Sequence, residues 1–404
     1  MPIDSEGKWL TSAEAAERLQ VKPATLYSYV SRGLLHPESA RGGRSRFRRE
    51  EVERLAARGR HGRRAESFEL VTESGLTMVE GNRLHYRGAD AVGLAGTHRF
   101  EQVAEWLWRG SLEVGESWQL PKAAGETALA ALSALGGEAL PLERMVLATA
   151  GIAATDPNRY DTRPEPLLRT ARSLIVALVR SLASDPRAHD DQRSVAVQLV
   201  DTLAGERSSP AVVELIDDAL ILLADHGLAV PTLVARLSAS VGGDVYSAVL
   251  AGFCTMRGTK PGAASLAVEG MLERVCMSSA EEVIFEYLRS GEAIPGLGHP
   301  LYSEGDPRAA FLLSQLVDAF AGTPSIANVE GMVAAVERRE LPPPNADFAV
   351  GALTHVAGLP RGYGEAIFSI ARTAGWVAHL LEEYTQNRTY RLREIYTGPA
   401  PSSQ

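Results

Sequence analysis

Cysteine is nearly absent from this chain. Only Cys254 and Cys276 occur among 404 residues, far from each other and from any CxxC or Cys/His spacing. That excludes a disulfide framework and gives no sign of a zinc site, so no bound metal is expected. Both are expected as buried free thiols, packing as small hydrophobes. Long apolar runs are missing as well: no stretch approaches the roughly 20 uninterrupted residues of a membrane span. The residues from Met1 to Glu6 hold no signal-peptide core, and a cytoplasmic protein without membrane contact is the expectation. Internal repeats and low-complexity tracts do not occur. What is present is a globular composition, 45% hydrophobic and 23% charged, which excludes disordered and fibrous classes. At 404 residues the chain exceeds one ordinary domain, and two or three are expected.

The net charge of −9 hides an asymmetry. Residues 1–65 hold 14 Lys and Arg against 8 Asp and Glu, a balance of +6, which leaves the remainder at 27 against 42, or −15. An anionic partner therefore belongs to the N-terminal piece.

In that piece Leu10, Ala13, Ala16 and Leu19 recur at helical spacing, with Thr11 or Ser12 and Glu14 able to cap the start. Gln20, Val21 and Lys22 break the pattern. Pro23 then suits the first turn of a second helix through Leu26, Tyr27 and Val30, which Gly33 ends. Helix, tight turn, helix lets the second helix lie in a DNA major groove, with Lys22, Thr25, Ser28, Tyr29 and Arg32 facing outward. From Arg41 to Arg49 a glycine-turned hairpin crowded with arginines is expected, placing Arg44, Arg46 and Arg48 to contact phosphates. The pattern WLTSAEAAERLQVKPATLYSYVSRGLL, followed by GRSRFRREEVERL, resembles the winged helix-turn-helix of mercury-resistance regulators and excisionases. That resemblance implies duplex DNA as a partner of residues 1–65. The Arg- and Gly-rich stretch near 57–66 reads as a linker or the end of a connecting helix.

Beyond residue 66, Ala-, Leu- and Val-rich stretches at helical spacing alternate with short Gly and Pro breaks, so the body is expected to be all-α. One exception is a hairpin between Gly75 and Arg87. Several separated segments then follow one family's order. VEGNRLHYRGADAVGLA and LADHGLAVPTLVAR come first, and PGLGHPLYSEGDPR matches a P-G-F-G-H-x-x-Y-x-x-x-D-P-R loop. NADFAVGALTHVAGLP, IFSIARTAGWVAHLLEE and NRTYRLREIYTGP complete the series. In these segments the body resembles the citrate synthases, which implies a two-domain helical fold and a homodimer. The large domain would span 66–260 plus 356–404 and the small one 261–355, with the site between them.

The resemblance also implies a chemistry, the condensation of an acyl-CoA, usually acetyl-CoA, with an oxo acid, usually oxaloacetate. A carboxylate must take a proton from the thioester methyl, one donor must stabilise the enolate oxygen, and another must polarise the ketone. No permanently bound cofactor is needed. Carried over by position, Asp347 is the base and His299 polarises the ketone. Arg308 and Arg372 hold oxo-acid carboxylates, for which a planar, permanently charged guanidinium is suited. His226 hydrogen-bonds the substrate, Arg391 reaches into a neighbouring subunit's site, and the backbone of Gly296, Leu297 and Gly298 receives the CoA end. His85, His355 and His379 match no catalytic position and read as structural.

One position departs from the pattern. Where the family reads G-P-L-H-G-G-A-N-x-A-V, with the histidine donating to the enolate oxygen, this chain runs from Gly258 to Val268 with Pro261 in the histidine's place. Proline offers no side-chain donor and no backbone N–H. Lys260, one residue early, is the neighbouring candidate donor. Four readings stay open: a condensing enzyme with a different enolate donor, an enzyme for an unusual acyl-CoA or oxo acid, a DNA-binding regulator whose body senses an oxo acid, citrate or CoA thioester, and a dimerisation scaffold.

Overall fold

The computed structural model describes residues 9–18, 26, 30, 35–39, 45–48, 52, 72–115, 118–183, 193–202, 209–257, 264–386 and 390. The chain divides into two compact units, Met1–Glu73 and Ser74–Gln404.

In the first unit β1 (Trp9–Thr11) leads directly into α1 (Ser12–Arg18), and β2 (Glu38–Ser39) and β3 (Ser45–Arg48) follow. The strands form one antiparallel sheet in the order β1-β3-β2, with Leu10 opposite Phe47. Leu10, expected to open the first helix, lies instead in a strand. Pairing with β3 buries it against Ala15, Ala16 and Phe47, which satisfies its hydrophobicity without a helical turn. The cap is as expected: the Thr11 N–H donates to Glu14 at 2.7 Å and the Glu14 N–H to the Thr11 hydroxyl at 3.3 Å, a capping box. Within the second expected helix, Leu26 and Val30 are described; both are helical and Leu26 is buried. Lys22, Thr25, Ser28, Arg32 and Arg44 lie outside the described residues.

The body opens with an antiparallel ribbon, β4 (Thr77–Glu80), β5 (Arg83–Tyr86) and β6 (Ala89–Asp90), one short strand more than the expected hairpin. Otherwise it is helical. In order come α2 (Ala91–Leu94), α3 (Phe100–Arg109), α4 (Lys122–Leu132), α5 (Pro141–Thr155), α6 (Pro164–Ser181), α7 (Val195–Asp201) and α8 (Pro210–Leu223). Then follow α9 (Val230–Ser240), α10 (Val245–Met256), α11 (Ala264–Met277), α12 (Ala280–Ser290), α13 (Pro307–Ala319), α14 (Pro324–Arg338), α15 (Ala346–Val356) and α16 (Tyr363–Gln386). Helix α16 is the axis of the core. It is buried on nearly every side between Tyr363 and Leu380, packs against α3, α6, α8, α9 and α15, and carries Glu365, Arg372 and His379 into the interior. Among the described residues no helix is long and apolar enough to cross a membrane.

Both cysteines are exposed, contrary to expectation. On α10 the buried positions Val245, Tyr246, Ala248, Val249, Gly252, Phe253 and Met256 define the inner face, and Cys254 falls opposite. Cys276 comes just after the buried Val275 at the end of α11, where its thiol lies 3.8 Å from His355 and accepts from Asn328.

Candidate active site

Three stretches of the body converge on one cavity of about 260 Å³, lined by His226, His299, Arg308, Asp347, Phe368 and Arg372 among others. The first stretch is the turn after α8. The Tyr86 hydroxyl of β5 sits 3.0 Å from the Ile221 carbonyl and 3.1 Å from that of Asp225, pinning the turn to the ribbon. Asp225 is itself fully buried. Burial opposes its charge, but the neighbouring His379 holds its carboxyl well below the ordinary range, and the Gly227 N–H donates to it at 3.0 Å. His379 is in turn 2.9 Å from Arg236, whose guanidinium pairs with Glu382 and Glu383 at 2.9 Å each. This buried ionic network sets the position of His226, the next residue.

The second stretch is the loop between α12 and α13. His299 accepts the Leu301 N–H on Nδ1 at 3.2 Å, which leaves the Nε2 proton to donate. Its ring lies 4.9 Å from that of His226 and 4.9 Å from that of Tyr302, and the Tyr302 hydroxyl meets His226 Nε2 at 2.8 Å. Burial, with Arg308 and Arg372 behind it, pushes His226 down to about 2. Burial and Arg308 also lower His299, so both imidazoles are neutral at pH 7. Arg308 opens α13. Its Nε and Nη2 donate to Asp306 at 2.9 and 2.7 Å, and Asp306 also accepts the Ala346 N–H at 3.0 Å. One carboxylate thus ties Arg308 to the helix that carries Asp347.

The third stretch comprises α15 and α16. Pro342, Pro343 and Pro344 end at Asn345, whose side chain caps α15 by accepting the Asp347 and Phe348 N–H groups at 3.0 and 3.3 Å. Burial raises the Asp347 carboxyl to about 6 against the pull of Arg308 and Arg372. That suits a base near neutral pH. Arg372, on α16, is buried and donates its Nε to the Leu223 carbonyl at 3.0 Å. Among the described residues no acceptor takes Nη1 of Arg308 or either terminal nitrogen of Arg372. Two buried guanidiniums with unclaimed donors in one cavity have the chemistry to pair with carboxylates.

The structure therefore brings together five of the residues singled out from the sequence: His226, His299, Arg308, Asp347 and Arg372. Arg391, Lys260 and Pro261 lie outside the described residues. Gly296, Leu297 and Gly298 do not line this cavity. The Gly298 N–H already donates to the Pro343 carbonyl at 2.7 Å, so the loop has one donor fewer for a CoA group than its sequence suggests. The sequence reading passed over Tyr302, Asp306, Asn345 and Phe368, which sit inside the quoted motifs, Ser265, which sits in the segment from Gly258 to Val268, and Glu365, which lines the cavity without any local mark. In the N-terminal unit, Arg46 and Arg48 lie 4.3 and 5.4 Å from the Trp9 ring centre. They pair with Glu38 at 3.7 and 3.3 Å.

A family model for the citrate synthase C-terminal domain matches residues 68–393, and one for a helix-turn-helix domain matches residues 9–60. The chain is 30% identical to 2-methylcitrate synthase 2 of Corynebacterium glutamicum over 345 residues, covering 80% of this chain and 90% of that protein. It is 30% identical to citrate synthase 2 of Bacillus subtilis over 353 residues, covering 82% and 94%. The fold superposes on the crystal structure of citrate synthase from Thermotoga maritima with a TM-score of 0.69 at 25% identity, over 83% of this chain and 95% of that one. With the family model spanning most of its length and the cavity arranged as described, this chain belongs to the citrate synthase family.

Proposed function

We propose that the body condenses an acyl-CoA with a dicarboxylic oxo acid of the oxaloacetate type. The observation that carries this is the convergence of Asp347, two neutral histidines and two buried arginines on one cavity. The oxo acid's carboxylates pair with Arg308 and Arg372, His226 hydrogen-bonds it, and the Nε2–H of His299 polarises its ketone. Asp347 takes a proton from the carbon next to the thioester, and the resulting enolate adds to that ketone. Acyl-CoA is a substrate here, not a resident group. Relatives named for citrate and for 2-methylcitrate differ by one methyl in product, so acetyl and propionyl are the acyl groups to compare. His226 and Arg372 come from the segments assigned to the large domain and His299, Arg308 and Asp347 from 261–355, which supports a site at a closing junction. A homodimer with Arg391 crossing between sites completes this reading.

The test is CoA release from acetyl-CoA and propionyl-CoA in the presence of oxaloacetate. Wild type should release CoA with at least one thioester, and Asp347→Asn should lower the rate by about 100-fold or more. An inert wild type that binds oxaloacetate sinks the condensing reading. A second reading is favoured by the helix-turn-helix match and the +6 balance of residues 1–65: the N-terminal unit binds duplex DNA and the body reports oxo-acid occupancy to it. That inert, ligand-binding wild type would select it.

A further inference from the structure

On the face of α16 that carries Arg372, Phe368 lies four residues earlier and Glu365 seven, about 10 Å along the helix. Glu365 is 5% exposed and lines the cavity. A Cβ on Gly364, next to Glu365, would lie 3.3 Å from Ser265, and Thr255, Met256 and Ser265 line the same cavity. These residues flank the segment 258–263 in sequence, and in that segment the family carries its enolate donor. Both flanks of that segment thus line the cavity that Glu365 lines, which makes this carboxyl a candidate to meet the thioester oxygen.

No described residue hydrogen-bonds the Glu365 carboxyl. Its surroundings favour the protonated form up to about neutral pH. Burial, together with the nearby Glu269, raises it to about 7. Glu269 on α11 is committed elsewhere, accepting the Gly362 and Gly364 N–H groups at 2.8 and 3.1 Å. Arg257, after α10, pulls in the other direction but is paired with Glu143 of α5 at 3.4 Å. Asp347, Arg308 and Arg372 complete the charged groups of the cavity.

We propose that Glu365 is a further catalytic residue: as a neutral carboxylic acid it donates a hydrogen bond to the thioester oxygen of the enolate, filling the role left vacant by Pro261. The inference rests on the condensing reading. In the step, a C–H bond next to the thioester carbonyl breaks, its proton passes to the Asp347 carboxylate, and its electron pair forms the C=C bond while the carbonyl oxygen takes the negative charge. Glu365 keeps its proton throughout and shares it with that oxygen. An acid kept neutral in a low-dielectric site can stabilise an enolate in this way.

The experiment follows exchange of the acyl hydrogens of acetyl-CoA and propionyl-CoA with deuterated solvent, using the full chain, with and without oxaloacetate. Wild type should exchange with a bell-shaped pH profile, rising through about 6 as Asp347 ionises and falling above about 7 as Glu365 does. Glu365→Leu should slow exchange by about 100-fold, with oxaloacetate affinity retained. Glu365→Gln keeps a donor that cannot ionise, so it should stay within about tenfold of wild type and lose the alkaline fall. If the leucine variant also loses oxaloacetate binding, the pH profile of the glutamine variant decides. Exchange at the wild-type rate in Glu365→Leu, an alkaline fall persisting in Glu365→Gln, or a loss found in Lys260→Ala instead would overturn the proposal and leave the condensing reading standing. Absence of exchange in a wild type that binds oxaloacetate would overturn both.

Discussion

Arg308 and Arg372 are both buried, yet they differ in what holds them. Arg308 is gripped by Asp306 through two hydrogen bonds, whereas Arg372, among the described residues, donates to a backbone carbonyl and lies 4.6 Å from the Phe368 ring centre. Removing the first should therefore damage the fold and altering the second should damage binding. Arg308→Ala leaves the buried Asp306 unpaired and is expected to cost about 3–5 kcal/mol in denaturant unfolding. Arg372→Lys keeps the charge but loses the planar fork. It is expected to leave stability nearly unchanged and weaken oxaloacetate binding by about 10- to 100-fold. If Asp347 is the base, it sets the acid limit of activity: with its carboxyl raised to about 6, the base form is lost below that pH. At limiting acyl-CoA, CoA release should fall about tenfold per pH unit there, and a rate flat down to pH 4 would contradict the assignment. Much of this residue-level picture was legible because the family's motifs carry it. Glu365 was not, since a lone glutamate in an Ala- and Ile-rich helix looks like a solvent-facing residue until the fold closes over it. The cysteines were misread for a related reason: the inner face of α10 depends on its neighbours, not on thiol hydrophobicity.

At the scale of elements, the loop that bears His299 is shaped by close packing. Gly296 has φ +74°, and a Cβ there would lie 2.7 Å from Val268 and 2.9 Å from the Phe348 backbone, so the loop can seat against α11 and α15 only without a side chain. Gly322 has a similar φ of +77° but open space around it. Gly296→Ala should thus cost about 2–4 kcal/mol, combining strain with overpacking, and Gly322→Ala only about 1–2 kcal/mol. Equal losses in thermal unfolding would show that backbone strain alone decides. Helix starts were readable where capping chemistry is local, as at Thr11 with Glu14 or after the three prolines before Asn345. Strands were readable only where the turn is local. The hairpin from Thr77 to Tyr86 was foreseen, but the Trp9–Thr11 strand pairs with Arg46, Phe47 and Arg48, far along the chain, a contact that helical periodicity cannot reveal.

At the scale of the whole molecule, a basic N-terminal unit is joined to an acidic body, with +6 and −15 on either side of residue 65. If residues 1–65 bind duplex DNA, affinity should fall linearly with salt on logarithmic axes, with a slope of about −0.9 per phosphate contacted. If Arg46 and Arg48 contact phosphates, Arg46→Ala and Arg48→Ala should weaken binding to all sequences alike, whereas Thr25 or Arg32 changes should alter preference. Gel shifts insensitive to salt would refute this. Both the enzymatic and the regulatory readings depend on one prior claim, that the cavity of the body receives an oxo acid. Calorimetric titration of the full chain with oxaloacetate tests it most directly. The account expects saturable binding at one site per chain, weakened in Arg372→Lys; no saturable heat at millimolar oxaloacetate, or an affinity indifferent to Arg372, would contradict it.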